Sequence, residues 1–182
     1  MNVYVFVVLL LLPALFICAF ISIFIYCIEG VNPLFSQIRL GKDKKLFTLY
    51  KFRTMSLETL DRPTHEVSEA NILKTGKILR KLKVDELPQF WNILIGDMSL
   101  VGPRACLPSQ HELIKFREKH NIFQVRSGLT GLPQIYEIDM SCIKTLIKYE
   151  KYMIKNMSCI MYLSILLGTV NLVKRKIFER WR

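Results

Sequence analysis

The first 28 residues of this 182-residue chain contain no charged side chain. Acids are scarce in the rest, with 15 Asp and Glu against 26 Lys and Arg, a formal charge of +11. The cysteines Cys18, Cys27, Cys106, Cys142 and Cys159 form no Cys-x-x-Cys pair and no Cys/His cluster. That favours free thiols in a reducing compartment over disulfides or a metal cage. His65, His111 and His120 are equally scattered and read as surface or structural residues. Zinc-finger spacing and an aromatic-studded RNA-binding signature are both missing, so no nucleic-acid partner is expected. No internal repeat or low-complexity tract is present. The length suits one catalytic unit with a membrane element, and is too short for two full domains with linkers.

What remains is a strongly basic part behind an apolar leader. A positive excess of this size suits an anionic membrane surface or a phosphorylated substrate. Val3 to Ile28 is almost purely apolar, and about 20 such residues suffice to span a bilayer core as a helix. A signal peptide is the competing reading, but a basic lead-in and a small-residue cleavage pattern are missing. Pro13 removes one helical hydrogen bond and kinks the axis. The segment therefore either crosses the bilayer or bends at Pro13 and returns to the side it entered from.

Beyond the Gly30-Val31-Asn32-Pro33 turn, Leu34 to Gly41 reads as a short strand and turn, and Leu46 to Met55 as a second strand. Its alternation places Lys51 and Arg53 on one face. Leu57 to Ser68 has no stable period and reads as a loop, a possible lid before the candidate site. Ile72 to Leu82 is a basic amphipathic helix suited to anionic headgroups. Further helices are expected over Ser109 to Lys119 and Cys142 to Lys155, with loop and a short strand over Phe123 to Gln134. Met157 to Val173, followed by Lys174-Arg175-Lys176, reads as an interfacial or buried helix rather than a second span.

The chain is organised around Asp85-Glu86-Leu87-Pro88-Gln89-Phe90-Trp91-Asn92. Proline is tolerated in the first turn of a helix, so a helix is expected to begin near Asp85, with Asp85 as its N-cap. Leu87, Phe90, Trp91 and Leu94 recur at helical spacing and predict a buried apolar face; Gln89 and Asn92 lie off it. A helix N-terminus favours anions and keeps Asp85 ionised. An ionised carboxylate can attack phosphorus, Mg²⁺ is the natural cation to hold phosphate beside carboxylates, and Arg80, Arg104 and Arg126 can neutralise the transferred group. Taken alone, however, an acidic pair ahead of a helix is usually a cap.

Its company in the chain alters that balance. Tyr50-Lys51-Phe52-Arg53-Thr54-Met55, the Asp85 segment, Gly96-Asp97-Met98-Ser99-Leu100-Val101-Gly102-Pro103-Arg104 and Arg126-x-Gly128-x-Thr130-Gly131-x-x-Gln134 follow in order. Together they resemble the bacterial sugar transferase family, and within it the small monotopic polyprenyl-phosphate phosphoglycosyltransferases. The resemblance implies an enzyme at the cytoplasmic face of the bacterial inner membrane. It would move a phospho-sugar from a UDP-sugar to undecaprenyl phosphate with release of UMP, opening a surface glycan or glycoprotein pathway. It further implies a covalent intermediate on Asp85, with Glu86 assisting in metal and proton handling and Mg²⁺ held by the pair. Phosphate binding falls on Arg80, Arg104, Lys51 and Arg53, and nucleotide or sugar binding on Asn92, Arg126, Thr130 and Gln134.

The expected fold is α+β: a mostly helical domain with a small β-sheet or hairpin. Residues 1–29 form a membrane-embedded, Pro-kinked helix, re-entrant if the resemblance holds. Residues 30–182 form the catalytic domain, ending in an interfacial helix at about 157–173. Departures from the family pattern are Ala105, Ser127, the stretch Ile135 to Asp139, and Tyr162 and Ser164 in the last helix. They keep open an alternative from another class, a membrane-anchored scaffold with impaired catalysis. Which sugar is moved and the oligomeric state are not encoded legibly; Ile135 to Ser141 is the stretch expected to carry sugar choice.

Overall fold

A computed structural model describes residues 3–56 and 71–178, with side chains described over 16–56 and 71–171. The expected lid over 57–68 lies outside these residues. The chain divides into two compact units. One comprises Met1–Phe35 and Lys51–Pro88, the other Ser36–Tyr50 and Gln89–Arg182. The small-sheet, mainly helical α+β architecture is observed.

In the first unit, helix α1 (Val3–Glu29) is assigned as a single run through Pro13. Among the described residues, no helix is long and apolar enough to cross a membrane. Ile21 and Ile25 of α1 pack with Phe52 and Leu79, while Phe16, Phe20 and Ile23 are exposed. Glu29, the first charge in the sequence, ends α1. Its Oε1 accepts from the Thr75 amide (2.8 Å) and hydroxyl (3.0 Å), at the start of helix α2 (Lys74–Leu82). A carboxylate there satisfies an amide that has no partner inside the helix and meets the positive end of its dipole.

Helix α2 buries Thr75, Gly76 and Leu79. At Gly76 a Cβ would lie 2.2 Å from the Thr54 carbonyl oxygen, so only glycine lets the helix ride on the strand end. Lys83 closes the helix in the left-handed conformation (φ 59°), its amide bonding back to Arg80 and Leu79. A residue with a Cβ is costly there, and the cost buys an abrupt turn directly into Val84-Asp85-Glu86.

Strands β1 (Leu34–Leu40) and β2 (Leu46–Phe52) form a two-stranded sheet. Their short connection makes them an antiparallel hairpin. Its base belongs to the first unit and its distal part to the second.

The second unit is built on two parallel strands, β3 (Met98–Val101) and β4 (Ser127–Thr130), in register Met98↔Ser127, Ser99↔Gly128 and Val101↔Thr130. Parallel strands need a long crossover, here carrying helix α4 (His111–Lys119). The ladder ends in an interlock: a Cβ on Gly102 would lie 2.5 Å from the Arg126 carbonyl oxygen, and one on Gly128 2.1 Å from the Gly102 nitrogen. Two of the spaced sequence motifs are thus one backbone junction, which accounts for glycine in both. Short helices α3 (Gln89–Leu94) and α5 (Leu132–Ile135) and the longer α6 (Ile143–Lys155) and α7 (Cys159–Phe178) complete the unit. Leu40, Cys106, Leu113, Ile122, Leu146 and Ile147 form its largest apolar cluster.

One expectation is reversed. Helix α3 turns its apolar face outward, with Trp91 59% and Leu94 53% exposed, while Gln89 and Asn92 are buried. The cause is Asn92, whose side chain accepts from the Tyr50 amide (3.1 Å) and donates to the Thr48 carbonyl (2.7 Å). Those bonds satisfy two backbone groups of β2, and they fix the rotation of a helix too short to bury both faces.

Candidate active site

The residues marked by the sequence fall in both units. Lys51, Arg53, Arg80, Asp85 and Glu86 belong to the first, and Asn92, Arg104, Arg126, Thr130 and Gln134 to the second.

Asp85 is not an α-helical N-cap. It sits inside a three-residue 3₁₀ turn, Val84–Glu86, because Lys83 has already reversed the chain and Pro88, lacking an amide, separates that turn from α3. No helix dipole is focused on Asp85, and its carboxyl is pushed up to about 6 rather than held low. Burial is the largest cause and the neighbouring Glu86 the next, opposed by the positive charges of Lys51 and Arg80. Its Oδ1 is buried without a hydrogen-bond partner.

The surrounding cations are held in different ways. Arg80 Nε donates to Thr54 Oγ1 (2.9 Å), which aims the guanidinium from the last turn of α2. The Lys51 ammonium stands 5.0 Å from the centre of the Phe35 ring. Arg53 lies over the same ring, as the strand alternation predicted for the pair. Its Nε, however, donates to the Asn32 carbonyl (2.8 Å) and its amide to that of Pro33 (2.7 Å). Arg53 is thereby engaged in fixing the entry to β1.

In the second unit, Arg104 is the exposed residue of a turn whose neighbours on both sides are buried. Its carbonyl accepts from Arg117 Nη1 (2.8 Å), and the next carbonyl, of Ala105, from Arg39 Nη1 (3.2 Å). Burial and the nearby charge of Arg104 lower the Arg39 guanidinium to about 10. Arg117 is itself completely buried and paired with Glu150 of α6 by two hydrogen bonds, Nε to Oε2 at 3.0 Å and Nη2 to Oε1 at 2.5 Å. The backbone that displays Arg104 is therefore anchored by an ion pair in the core.

Two further marked residues are held by hydrogen bonds within the second unit. Asn92 is completely buried with its amide committed to β2. The Thr130 hydroxyl is bonded to that of Thr169 in α7 (2.6 Å). Both side chains clamp elements together. Arg126 is exposed and lines a cavity of about 410 Å³. The amide oxygen and nitrogen of Gln134 are both buried without partners.

Sequence reasoning missed Lys42, which lines the same cavity, and the Arg39 and Arg117–Glu150 supports. Arg117 and Glu150 lie 33 residues apart on helices that each read as amphipathic, and no spacing rule pairs them. Tyr162, a departure from the family pattern, also lines the cavity. Ala105 and Ser127, two other departures, are buried beside the strand junction.

No group of three or more His, Cys, Asp or Glu that could hold a metal occurs among the described residues. Mg²⁺ is commonly held by one or two carboxylates together with substrate phosphate oxygens. Asp85, with an orphaned buried oxygen, and the adjacent Glu86 fit that donor set.

The family model described as Bacterial sugar transferase matches residues 1–176. The chain belongs to that family. Among its relatives, the "Uncharacterized sugar transferase EpsL" of Bacillus subtilis is 38% identical over 144 residues, covering 79% of this chain and 71% of that protein. The UDP-N-acetylgalactosamine-undecaprenyl-phosphate N-acetylgalactosaminephosphotransferase of Aeromonas hydrophila is 33% identical over 157 residues. That match covers 80% of this transferase and 36% of the relative. The UDP-glucose:undecaprenyl-phosphate glucose-1-phosphate transferase of Klebsiella pneumoniae is 38% identical over 109 residues, 56% of this chain and 23% of that one. This transferase thus spans about a third or less of the length of the latter two.

Proposed function

We propose that this transferase moves a sugar 1-phosphate from a UDP-sugar to undecaprenyl phosphate, releasing UMP, by way of a covalent intermediate on Asp85. The carrying observation is Asp85 itself: a half-buried carboxylate with one oxygen fully buried and unpartnered, beside a second carboxylate and within the field of Lys51 and Arg80. Leaving a buried acceptor unsatisfied costs on the order of 1–3 kcal/mol, a cost that fold stability does not require and a nucleophile does.

In the first step a carboxylate oxygen of Asp85 attacks the sugar-bearing phosphorus. The bond from that phosphorus to the bridging oxygen breaks, and UMP departs with the electron pair. In the second step a phosphate oxygen of undecaprenyl phosphate attacks the acyl phosphate, its phosphorus–carboxylate bond breaks, and Asp85 is regenerated as a carboxylate. Lys51 and Arg80 offset repulsion between nucleophile and phosphate. Glu86 raises the basicity of Asp85 by like charge. When bound by Asp85 and Glu86, Mg²⁺ supplies charge neutralisation of the diphosphate. Arg104 and Arg126 are assigned to substrate anions, and Gln134, with both amide ends unpartnered, to nucleotide or sugar contact.

Membrane association at the cytoplasmic face is part of the same reading. It is supported by the apolar residues exposed along α1. The outward face of α3 and the stripe Ile160, Leu163, Leu167 and Val170 on α7 support it further. Re-entry of α1 by a bend at Pro13 belongs to this proposal.

The test is UMP release from a set of UDP-sugars with undecaprenyl phosphate, with and without Mg²⁺, for the wild type and Asp85→Asn. Trapping a phospho-sugar adduct without lipid acceptor separates covalent transfer from direct displacement. An Asp85→Asn enzyme with near-wild-type turnover sinks the covalent route.

A further inference from the structure

The cavity that Arg126 lines has an unusual wall. Two of its side chains are cationic, Lys42 and Arg126, and none is acidic. Neither cation has an ion pair or side-chain hydrogen bond with a described residue. The lining also includes the apolar side chains of Met153 and Met157 and the ring of Tyr162. Like charges left facing a concave surface repel unless an anion joins them, while an apolar wall favours an organic group.

Lys42 is presented by a rigid hairpin tip rather than a loose loop. The tip Lys42–Lys44 is a 3₁₀ turn with left-handed Asp43 and Lys44, closed by the Gly41 amide on the Lys45 carbonyl (2.9 Å). It is tied to α4 by the Lys44–Glu118 ion pair at 2.6 Å. Arg126 stands at the foot of β4, next to the glycine junction. Both cations thus stand on fixed backbone, the condition for a built anion site.

We propose that this cavity binds an organic phosphate, with the phosphoryl group held by Lys42 and Arg126 and the organic part against Met153, Met157 and Tyr162. The inference deepens the transferase reading and rests on it, since the donor and the acceptor proposed above are both organic phosphates. It adds Lys42 as a binding residue.

The test is equilibrium binding to the full-length protein in nanodiscs at fixed ionic strength, with three probes: UMP, water-soluble dimethylallyl phosphate, and inorganic phosphate. At least one organic phosphate should bind ten-fold or more tighter than inorganic phosphate. Lys42→Glu, at an exposed position, should weaken it at least ten-fold, and Met157→Glu, which adds an anion to the apolar wall, should weaken it without touching Lys42. UMP as the Lys42-dependent probe assigns the site to the nucleotide, and the prenyl phosphate assigns it to the acceptor. Unchanged affinity in Lys42→Glu, or inorganic phosphate binding as tightly as both organic probes, overturns the proposal. UMP release is scored separately. Turnover with Lys42-independent binding refutes the cavity and leaves the reaction standing, whereas Lys42-dependent binding without turnover does the reverse.

Discussion

Asp85 and Glu150, one in each unit, are both carboxylates whose pKa burial raises, and they are treated oppositely. Glu150 in α6 is completely buried, and both its oxygens accept from Arg117. Burial raises its pKa and Arg117 opposes the rise. Asp85 has cations in its neighbourhood, yet one of its oxygens has no hydrogen-bond partner. A buried charge whose valences are filled holds the fold together, and one with a valence left open is kept for a ligand. The difference separates a supporting acid from a reacting one more sharply than burial or sequence does.

The largest effect expected is on turnover. Asp85→Asn should lower UMP release about 10³-fold or more, equivalent to roughly 4 kcal/mol of activation free energy, while leaving the thermal midpoint no lower than that of the wild type. Glu150→Ala should do its damage to stability: breaking one partner of a buried pair costs about 3–5 kcal/mol, read as a fall in the chemical denaturation midpoint. A loss below about 1 kcal/mol there would erase the contrast between the two acids.

Next in size is a pH effect. Asp85 titrates at about 6 in the folded chain against an ordinary value of 3.8, so between these values the folded state binds more protons than the unfolded one. Stability therefore falls as pH rises through that window, by on the order of 3 kcal/mol, and stays at the lower level above it. Asp85→Asn should remove that slope from the denaturation profile. Because the ionised form is the nucleophile, wild-type kcat/KM should rise with pH through about 6. The smallest effect is assigned to Thr130→Val, which loses the bond to Thr169. It should cost about 1 kcal/mol and leave KM for the UDP-sugar unchanged, as a clamp and not a ligand contact.

Much of the fold is legible in the sequence, because the hairpin and helices α2, α4, α6 and α7 are written in local periodicity and turn residues. Helix α3 is the instructive miss. Phe90, Trp91 and Leu94 satisfy the helical spacing of a core face, but Asn92 decides the orientation through two bonds to strand residues more than 40 positions away. The site divides on the same line. Asp85-Glu86 and the arginines stand out as residue types in company, whereas the Arg117–Glu150 pair, and the lining of one cavity by both Lys42 and Arg126, come from long-range packing that no local pattern encodes.

The Gly102–Gly128 interlock also bears on how this protein can be rebuilt. Since both backbone ends of the crossover between β3 and β4 meet at that junction, the intervening segment is a module with fixed sockets. Exchanging the surface residues of a relative's crossover between these two glycines, with Arg117 retained for Glu150 and Cys106, Leu113 and Ile122 retained for the core cluster, imports new surface chemistry without resetting the frame. A side chain at either socket meets the facing backbone and forces the two strands apart.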